Sequence, residues 1–285
     1  MSDAIAIIAA GAMGSAVAAC LTAEGRTVRT CLAGRSDASR ARAAKAGMVD
    51  ADLATIAQSR VILSILPPGE ALGLARSLAP FLAGAPAAAR AVFADCNAIA
   101  PASMHAVAAA LAPSGCAVVD GAIIGPPPHP GGAGTKLYLA GEAAPRLADL
   151  AVPGLVVRVM DAPLGAASAL KMSYAGITKG FTALGAAMML AAEAAGAAPA
   201  LHAELSESQL PLLSWLSGQM PKMPDKAYRW VAEMEEIAAF IPPAAEAAPI
   251  YRAIAAFYAA IAADHRDGGA AVAALMQFCS QEKGR

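Results

Sequence analysis

Short apolar runs alternate with helical patterns over the first half of the chain. Ala4–Ile8 (AIAII), Thr27–Leu32 (TVRTCL), Val61–Leu66 (VILSIL), Ala91–Ala94 (AVFA), Val118–Asp120 and Lys136–Ala140 (KLYLA) read as strands. Val61–Leu66 is nearly unbroken in apolarity, as in a parallel strand covered on both faces, and Pro67-Pro68 stops it. From about Pro163 the alternation ends. Gly165–Gly196 fits one helix of roughly 45 Å, at 1.5 Å per residue. Leu205–Gly218, Asp225–Phe240 and Ala247–Asp264 read as further helices. An α/β half followed by helices alone predicts a domain boundary at Asp161–Leu164, giving domains 1–162 and 163–285. The segment Gly121–Gly134 is too rich in proline and glycine for regular structure.

Composition narrows the picture. Of 285 residues, 58% are hydrophobic and 15% charged, which excludes a disordered chain. Much of the apolar excess is alanine, suited to close helix packing. The net charge is −1 and no basic patch is legible, so no nucleic acid is expected as a partner. So little charge predicts apolar surface covered by a second subunit, a homodimer through the C-terminal helices. Met188, Met189, Met220, Met223, Phe257 and Tyr258 are assigned to core and subunit interface. Ala4–Ala23 is uncharged and long enough to span a bilayer, yet Gly11 and Gly14 split it into strand and helix, and no cationic segment precedes it. No membrane role and a cytoplasmic location are expected. The five cysteines are scattered, with neither a CxxC pair nor metal-ligand spacing, so no metal is expected. His105 and His129 read as surface or structural histidines.

Candidate chemistry starts at the first turn. Ala9-Ala10-Gly11-Ala12-Met13-Gly14 lies between a strand and a helix, the setting in which a glycine motif is informative. Gly11 lets the backbone approach a pyrophosphate, Gly14 lets helix pack on strand, and the helix N-terminus supplies amides. The expected fold is α/β, with an N-terminal Rossmann dinucleotide-binding domain followed by an all-helical C-terminal domain. An NAD enzyme usually places an acid after the second strand. Here Ala33-Gly34-Arg35-Ser36 and Arg40 suit a 2′-phosphate, with Asp37 as the dissenting charge. NADP is therefore the expected cofactor, with NAD the alternative. Leu66 and Pro67 end a strand where such sheets bind ligands. Within GAASALKMSYAGITKG, Lys171 is the first cation, set among small apolar neighbours. It either snorkels to water or carries chemistry, since burial that lowers a lysine pKa makes proton transfer near neutrality possible.

Five elements in order resemble the β-hydroxyacid dehydrogenase superfamily, relatives of 6-phosphogluconate and 3-hydroxyisobutyrate dehydrogenases. They are the turn ending in AMG, the strand ending in LPP, D-x-x-x-x-x-P at Asp95–Pro101, the stretch Asp120–Gly125, and G-x-x-x-x-x-K at Gly165–Lys171. The wording DCNAIAP, IIGPPP and DKAYRWVAEMEE resembles a divergent 6-phosphogluconate-dehydrogenase-like subgroup. The resemblance implies that Lys171 is the general acid/base, that Asn97 stands where the family binds substrate with serine, and that Gly125 is the first of a substrate-binding glycine pair.

The departures imply a substrate unlike that of the well-known members. Ala9 replaces the first glycine, which is tolerable only without positive φ. Ala167 replaces a glycine on the lysine helix. Pro126 replaces the second substrate glycine and lacks an amide hydrogen; a lost charged hydrogen bond costs roughly 1.5–3 kcal/mol. Tyr174 and Thr178 share the lysine's helix face, with Tyr174 as replacement polar partner. Arg229, Glu233 and Glu236 lie on one face, either as a solvated ion-pair ladder or as pocket residues beside Lys226 and Trp230. The resulting reading is an NADP-dependent oxidoreductase that interconverts a small, β-hydroxyacid-like hydroxy compound and its carbonyl, with Lys171 as general acid/base. Imine reduction within the same superfamily and non-catalytic NADP binding are the alternatives.

Overall fold

The computed structural model describes residues 2–280 apart from positions 85 and 87–89. The chain forms two compact units, 1–172 and 173–285. The first is built on eight strands: β1 (Ser2–Ile8), β2 (Val28–Thr30), β3 (Val49–Asp50), β4 (Ser59–Ser64), β5 (Val92–Asp95), β6 (Ala117–Ile124), β7 (Thr135–Ala140) and β8 (Leu155–Val159). Their order in the sheet is β3-β2-β1-β4-β5-β6-β7-β8. The pairs from β3 through β6 are parallel, β7 turns antiparallel to β6, and β8 runs parallel to β7.

The helices α1 (Ala12–Ala23), α2 (Asp37–Lys45), α3 (Leu53–Ile56), α4 (Ala71–Ala83) and α5 (Pro101–Leu111) connect these strands. Both faces of the sheet are covered. Ile5 and Ile7 of β1 pack with Val17, Leu21, Val61 and Leu63, whereas Ala6 and Ile8 pack with Ile62, Leu78, Phe93 and Met104. That two-residue alternation into two cores explains why the central strands read as unbroken apolar runs.

Six of these strands match the runs read from the sequence, but β6 runs on to Ile124, so Gly121–Ile124 is paired strand where the sequence predicts irregular chain. β3 and β8 match no such run: β3 is two exposed residues, and β8 carries Arg158 and a half-exposed Val159 at its end. The run Ala4–Ala23 divides into β1 and α1, so its apolarity is that of a sheet core.

A 29-residue helix, α6 (Ala166–Ala194), starts in the first unit and continues into the second. The second unit adds α7 (Ala198–Ser208), α8 (Leu210–Gln219), α9 (Pro224–Phe240), α10 (Ala248–Arg266) and α11 (Ala270–Ser280). The single helix expected over Leu205–Gly218 is two. Gln209 leaves helical geometry at φ −139° and ψ 39°, and Pro211 in the first turn of α8 supplies no amide hydrogen to the preceding turn. Met220, Met223, Met234, Tyr258 and Phe278 are buried in this unit, while Met188 is exposed.

Gly14 is required by packing, because a Cβ there would fall 2.0 Å from the Ala9 carbonyl oxygen. Gly14→Ala is therefore expected to cost about 3 kcal/mol in urea unfolding. At Gly11 the φ of −72° suits any residue and a Cβ meets nothing within 4 Å, so Gly11→Ala should stay within ~0.5 kcal/mol of wild type. Equal losses at both positions would refute this account of the turn.

Candidate active site

The sheet order reverses between β1 and β4, and in open α/β sheets ligands bind outside the carboxyl ends of the strands at such a point. The glycine turn leaves β1 there. No side chain caps the N-terminus of α1, whose N-cap is Gly11. The positive end of the helix dipole and its first amides are thus open to an anion. Gly11 is not demanded by its own backbone, and no protein atom stands where its side chain would be. A glycine there keeps clear a cradle that a Cβ would fill, which fits a diphosphate. Glu246 is the non-glycine residue with positive φ among the described residues, so Ala9 needs no glycine conformation. Ala10, Ala12 and Met13 lie in the same turn. The Ala10 carbonyl accepts from Arg42 Nε at 3.0 Å, an anchor on α2 that the sequence did not mark out.

Beyond β2, Ser36 caps α2 by accepting from the Ser39 amide. Arg35 is half-buried, with Nη1 4.0 Å from Glu70 Oε2. Arg40, expected at a phosphate, donates from Nη2 to the Leu32 carbonyl at 2.7 Å and so ties the loop to α2. Part of its fork is engaged within the loop.

At the ends of β4 and β5, Asn97 is buried and its amide is fully occupied. Nδ2 donates to Ser64 Oγ at 2.8 Å and to Asp95 Oδ2 at 2.9 Å, and Oδ1 accepts from the Leu66 amide. This corrects the expectation of a free substrate donor: Asn97 holds the Leu66–Pro67 loop in place, because every donor on its side chain already has an acceptor. Asp95 accepts from the Asn97 amide at 3.0 Å. Burial, reinforced by the Asp120 carboxylate, pushes its pKa up to about 6 despite these hydrogen bonds. Burial likewise raises Asp120.

Asp120 lies on β6 with no exposed surface. It accepts from the Ser168 amide at 2.9 Å and the Ser168 hydroxyl at 2.6 Å, and also from the amides of Ala167 and Gly165. A buried carboxylate thus takes up the N-terminal amides of α6. One helical turn on, Lys171 Nζ donates to the Ile123 carbonyl at 2.8 Å. Residues 120 and 123 of one strand therefore grip residues 168 and 171 of one helix. Lys171 sits at the carboxyl end of β6, the same edge that carries the glycine turn, Leu66–Pro67 and Asn97. Gly125 follows at φ +135°, conformational space that favours glycine, and the exposed Pro126 accepts from Thr135 Oγ1 through its carbonyl. The grip of Asp120 on Ser168 spans 48 residues of chain, so the Asp120–Gly125 motif alone does not disclose it.

The remaining candidates lie in the second unit. Tyr174 is exposed, and Thr178 Oγ1 donates back to its carbonyl at 2.9 Å. Glu233 is buried and pairs with Lys179, whose Nζ lies 5.1 Å from the Trp230 ring centroid. The Tyr258 hydroxyl donates to the Lys179 carbonyl at 2.6 Å. Arg229 is exposed, 5.8 Å from the Tyr228 ring centroid. A solvated ladder along α9 is therefore corrected: Glu233 turns inward to a lysine on α6, while Arg229 stays in solvent. Lys179, eight residues past Lys171, meets Glu233 across 54 residues of chain, a separation that leaves no local signal. Among the described residues no group of histidine, cysteine or carboxylate side chains is placed to hold a metal.

The sheet order, the clear glycine cradle and the uncapped α1 define a Rossmann-type dinucleotide-binding unit. Residues 4–142 match the NAD binding domain of 6-phosphogluconate dehydrogenase, and residues 192–261 match a domain of unknown function, DUF1932. These matches, with a fold similar to that of 3-hydroxyacid dehydrogenases, support an NAD(P)-dependent oxidoreductase of the β-hydroxyacid dehydrogenase superfamily. The chain is similar to a conserved hypothetical protein from Sinorhizobium meliloti 1021, with 26% identity, 98% and 97% of the two chains covered, and a TM-score of 0.71. The 3-hydroxyisobutyrate dehydrogenase of Mycobacterium tuberculosis, solved with L-serine, shares the fold at 20% identity, 96% and 99% coverage and a TM-score of 0.71. So does the imine reductase of Myxococcus stipitatus in complex with NADP+, at 20% identity, 96% and 99% coverage and a TM-score of 0.56. No curated protein matches the chain.

Asp95 yields a signed pH dependence. Its pKa is raised from 3.8 to about 6 on folding, so the folded state binds the proton more tightly. Its contribution to stability is complete below the unfolded value and is lost as pH rises through about 6, roughly 3 kcal/mol in all. Wild type should lose stability relative to Asp95→Asn between pH 4.5 and 7.5 in parallel urea titrations. A constant gap across that window would rule out this titration.

Proposed function

We propose that the chain is an NADP-dependent oxidoreductase that interconverts a small hydroxy compound and its carbonyl, with Lys171 as general acid/base. The observation that carries this reading is the hydrogen bond from Lys171 Nζ to the Ile123 carbonyl, which holds the ammonium at the ligand-binding edge of the sheet. The cradle at Gly11 and the amides of Ala12 and Met13 would hold the diphosphate, with Arg35 and Ser36 taking the 2′-phosphate. When bound, the nicotinamide supplies or accepts the hydride.

Lys171 moves the proton. An ammonium has three hydrogens, and with one held by Ile123 the others can reach a substrate oxygen. In reduction Nζ gives its proton to the forming hydroxyl, and in oxidation the amine takes it back. The Asp120 carboxylate acts through the helix, keeping the backbone at Ser168 and hence Lys171 in register with β6.

The substrate side supports a compound other than a short hydroxyacid. Pro126 offers no amide hydrogen, and the side-chain donors of Asn97 are occupied, so a carboxylate meets few donors here. In the helical domain, which we take as 163–285, Glu233 is already paired with Lys179 and Arg229 stays in solvent, so neither is kept as a substrate contact. Lys171→Met should retain NADP+ affinity while losing at least about 100-fold in turnover against a panel of aldehydes, ketones and hydroxy compounds. Full turnover in that variant would displace Lys171. Activity confined to cyclic imines would favour the imine-reductase reading, and tight NADPH binding without turnover the non-catalytic one.

We further propose a homodimer in the cytoplasm, where the five unpaired cysteines stay reduced. Tyr174, Ile177, Phe181, Leu184 and Met188 are each 50–62% exposed along α6. Their spacing of three and four residues makes an apolar seam of the kind two helices share. The helix is long and apolar enough to cross a membrane, but Lys171 and Lys179 tie it to β6 and to Glu233, which supports a soluble role. Phe181→Glu should convert a dimer to a monomer in analytical ultracentrifugation. A wild-type chain that sediments as a monomer at micromolar concentration would remove the seam from consideration.

A further inference from the structure

Arg35 and Glu70 reach toward each other from loops on either side of the glycine turn. Arg35 follows β2, and Glu70 ends the 3₁₀ turn Pro68–Glu70 that follows β4. In the sheet β2 and β4 flank β1, so these loops stand about two strand spacings, about 10 Å, apart at their roots. The two side chains close that gap to 4.0 Å between Nη1 and Oε2. Both are open to solvent, at 34% and 54% exposure, so the pair separates at little cost.

We propose that Glu70 is a specificity-determining residue of the nucleotide site, one that restrains the preference for a 2′-phosphorylated dinucleotide. The inference rests on the reading that Arg35 receives the 2′-phosphate. A phosphate dianion takes a guanidinium in a two-pronged fork. A carboxylate already facing that guanidinium competes for it and repels the incoming phosphate. With the unphosphorylated dinucleotide the balance reverses, because a carboxylate accepts a hydrogen bond from a ribose hydroxyl. An acid at the end of β2 usually has that task. Asp37 lies one residue past Ala33-Gly34-Arg35-Ser36, in the first turn of α2, whereas Glu70 is the carboxylate that faces Arg35 from the neighbouring loop. Arg35 and Glu70 thus pull in opposite directions on cofactor choice, which narrows the margin by which the 2′-phosphorylated form is preferred.

Calorimetric titration of the full chain with NADP+ and NAD+ tests this without any substrate. Glu70→Gln should raise the ratio of NADP+ to NAD+ affinity about two- to fivefold, in keeping with an exposed ion pair. The gain should shrink at about 0.5 M salt, where such pairs are screened. Glu24→Gln, the same charge change at the far end of α1, should leave the ratio alone. An unchanged or lower ratio in Glu70→Gln overturns the inference, as does an equal rise in Glu24→Gln. Arg35→Gln separates the two layers. If it weakens NADP+ binding while Glu70→Gln leaves the ratio flat, only the role of Glu70 fails. If it leaves NADP+ affinity unchanged, the reading of Arg35 as the phosphate residue fails first.

Discussion

A buried carboxylate holding the start of a long helix is the constraint on which the rest of this molecule turns. Asp120 has no exposed surface, and burial alone would favour its neutral form. The hydroxyl and amide of Ser168 and the amides of Gly165 and Ala167 offset that cost. A helix N-terminus presents several amides without intrahelical partners and a positive dipole end, so it is a natural counterpart for such a charge. The consequence reaches past stability. Once Ser168 is fixed to β6, Lys171 one turn later lies beside the Ile123 carbonyl, and its ammonium has a defined place at the sheet edge. A flexible lysine chain becomes a positioned donor because the backbone beneath it is held by hydrogen bonds.

The same edge shows how closely its polar groups are matched. Asp95, Ser64 and Asn97 form a closed set in which each amide hydrogen of the asparagine finds an oxygen. Asp95 pairs in register with Asp120 on the next strand, so two carboxylates share one small region of low dielectric. Their mutual repulsion is tolerated because each is surrounded by donors from a different direction: Asn97 and Ser64 for one, the helix start for the other. Within the second unit, Lys179 and Glu233 follow the same rule, a charged pair taken out of solvent and backed by the Trp230 ring. Few charged residues are available in this chain, and among the described residues the buried carboxylates Asp95, Asp120 and Glu233 each face donors or a counter-charge.

The sequence by itself determined the architecture and most of the addresses. Apolar runs, Gly11 and Gly14, the Pro67-Pro68 stop and the shift to helices after Pro163 fix a parallel sheet, a glycine turn and a helical second half, because these signals are local. Strand period, turn chemistry and helix period act within a few residues of where they are read. Short or edge elements escaped for the same reason: β3 has two residues, and β8 mixes apolar and charged positions as an outer strand can. The break at Gln209 escaped because a helix can begin with proline in its first turn, so Pro211 alone does not say that a new one starts.

What only the tertiary structure decided is which polar groups still have something to give. Asn97 looked like a substrate ligand until Ser64, Asp95 and Leu66 were seen to occupy it. Glu233 looked solvated until Lys179 was found opposite it, 54 residues away. Asp120 and Ser168 lie 48 residues apart, and Glu70 meets Arg35 only because β1 brings their loops to its two sides. Hydrogen bonds and ion pairs act over a few ångströms in space and carry no periodic trace along the chain, so the partners of a polar residue are set by the fold.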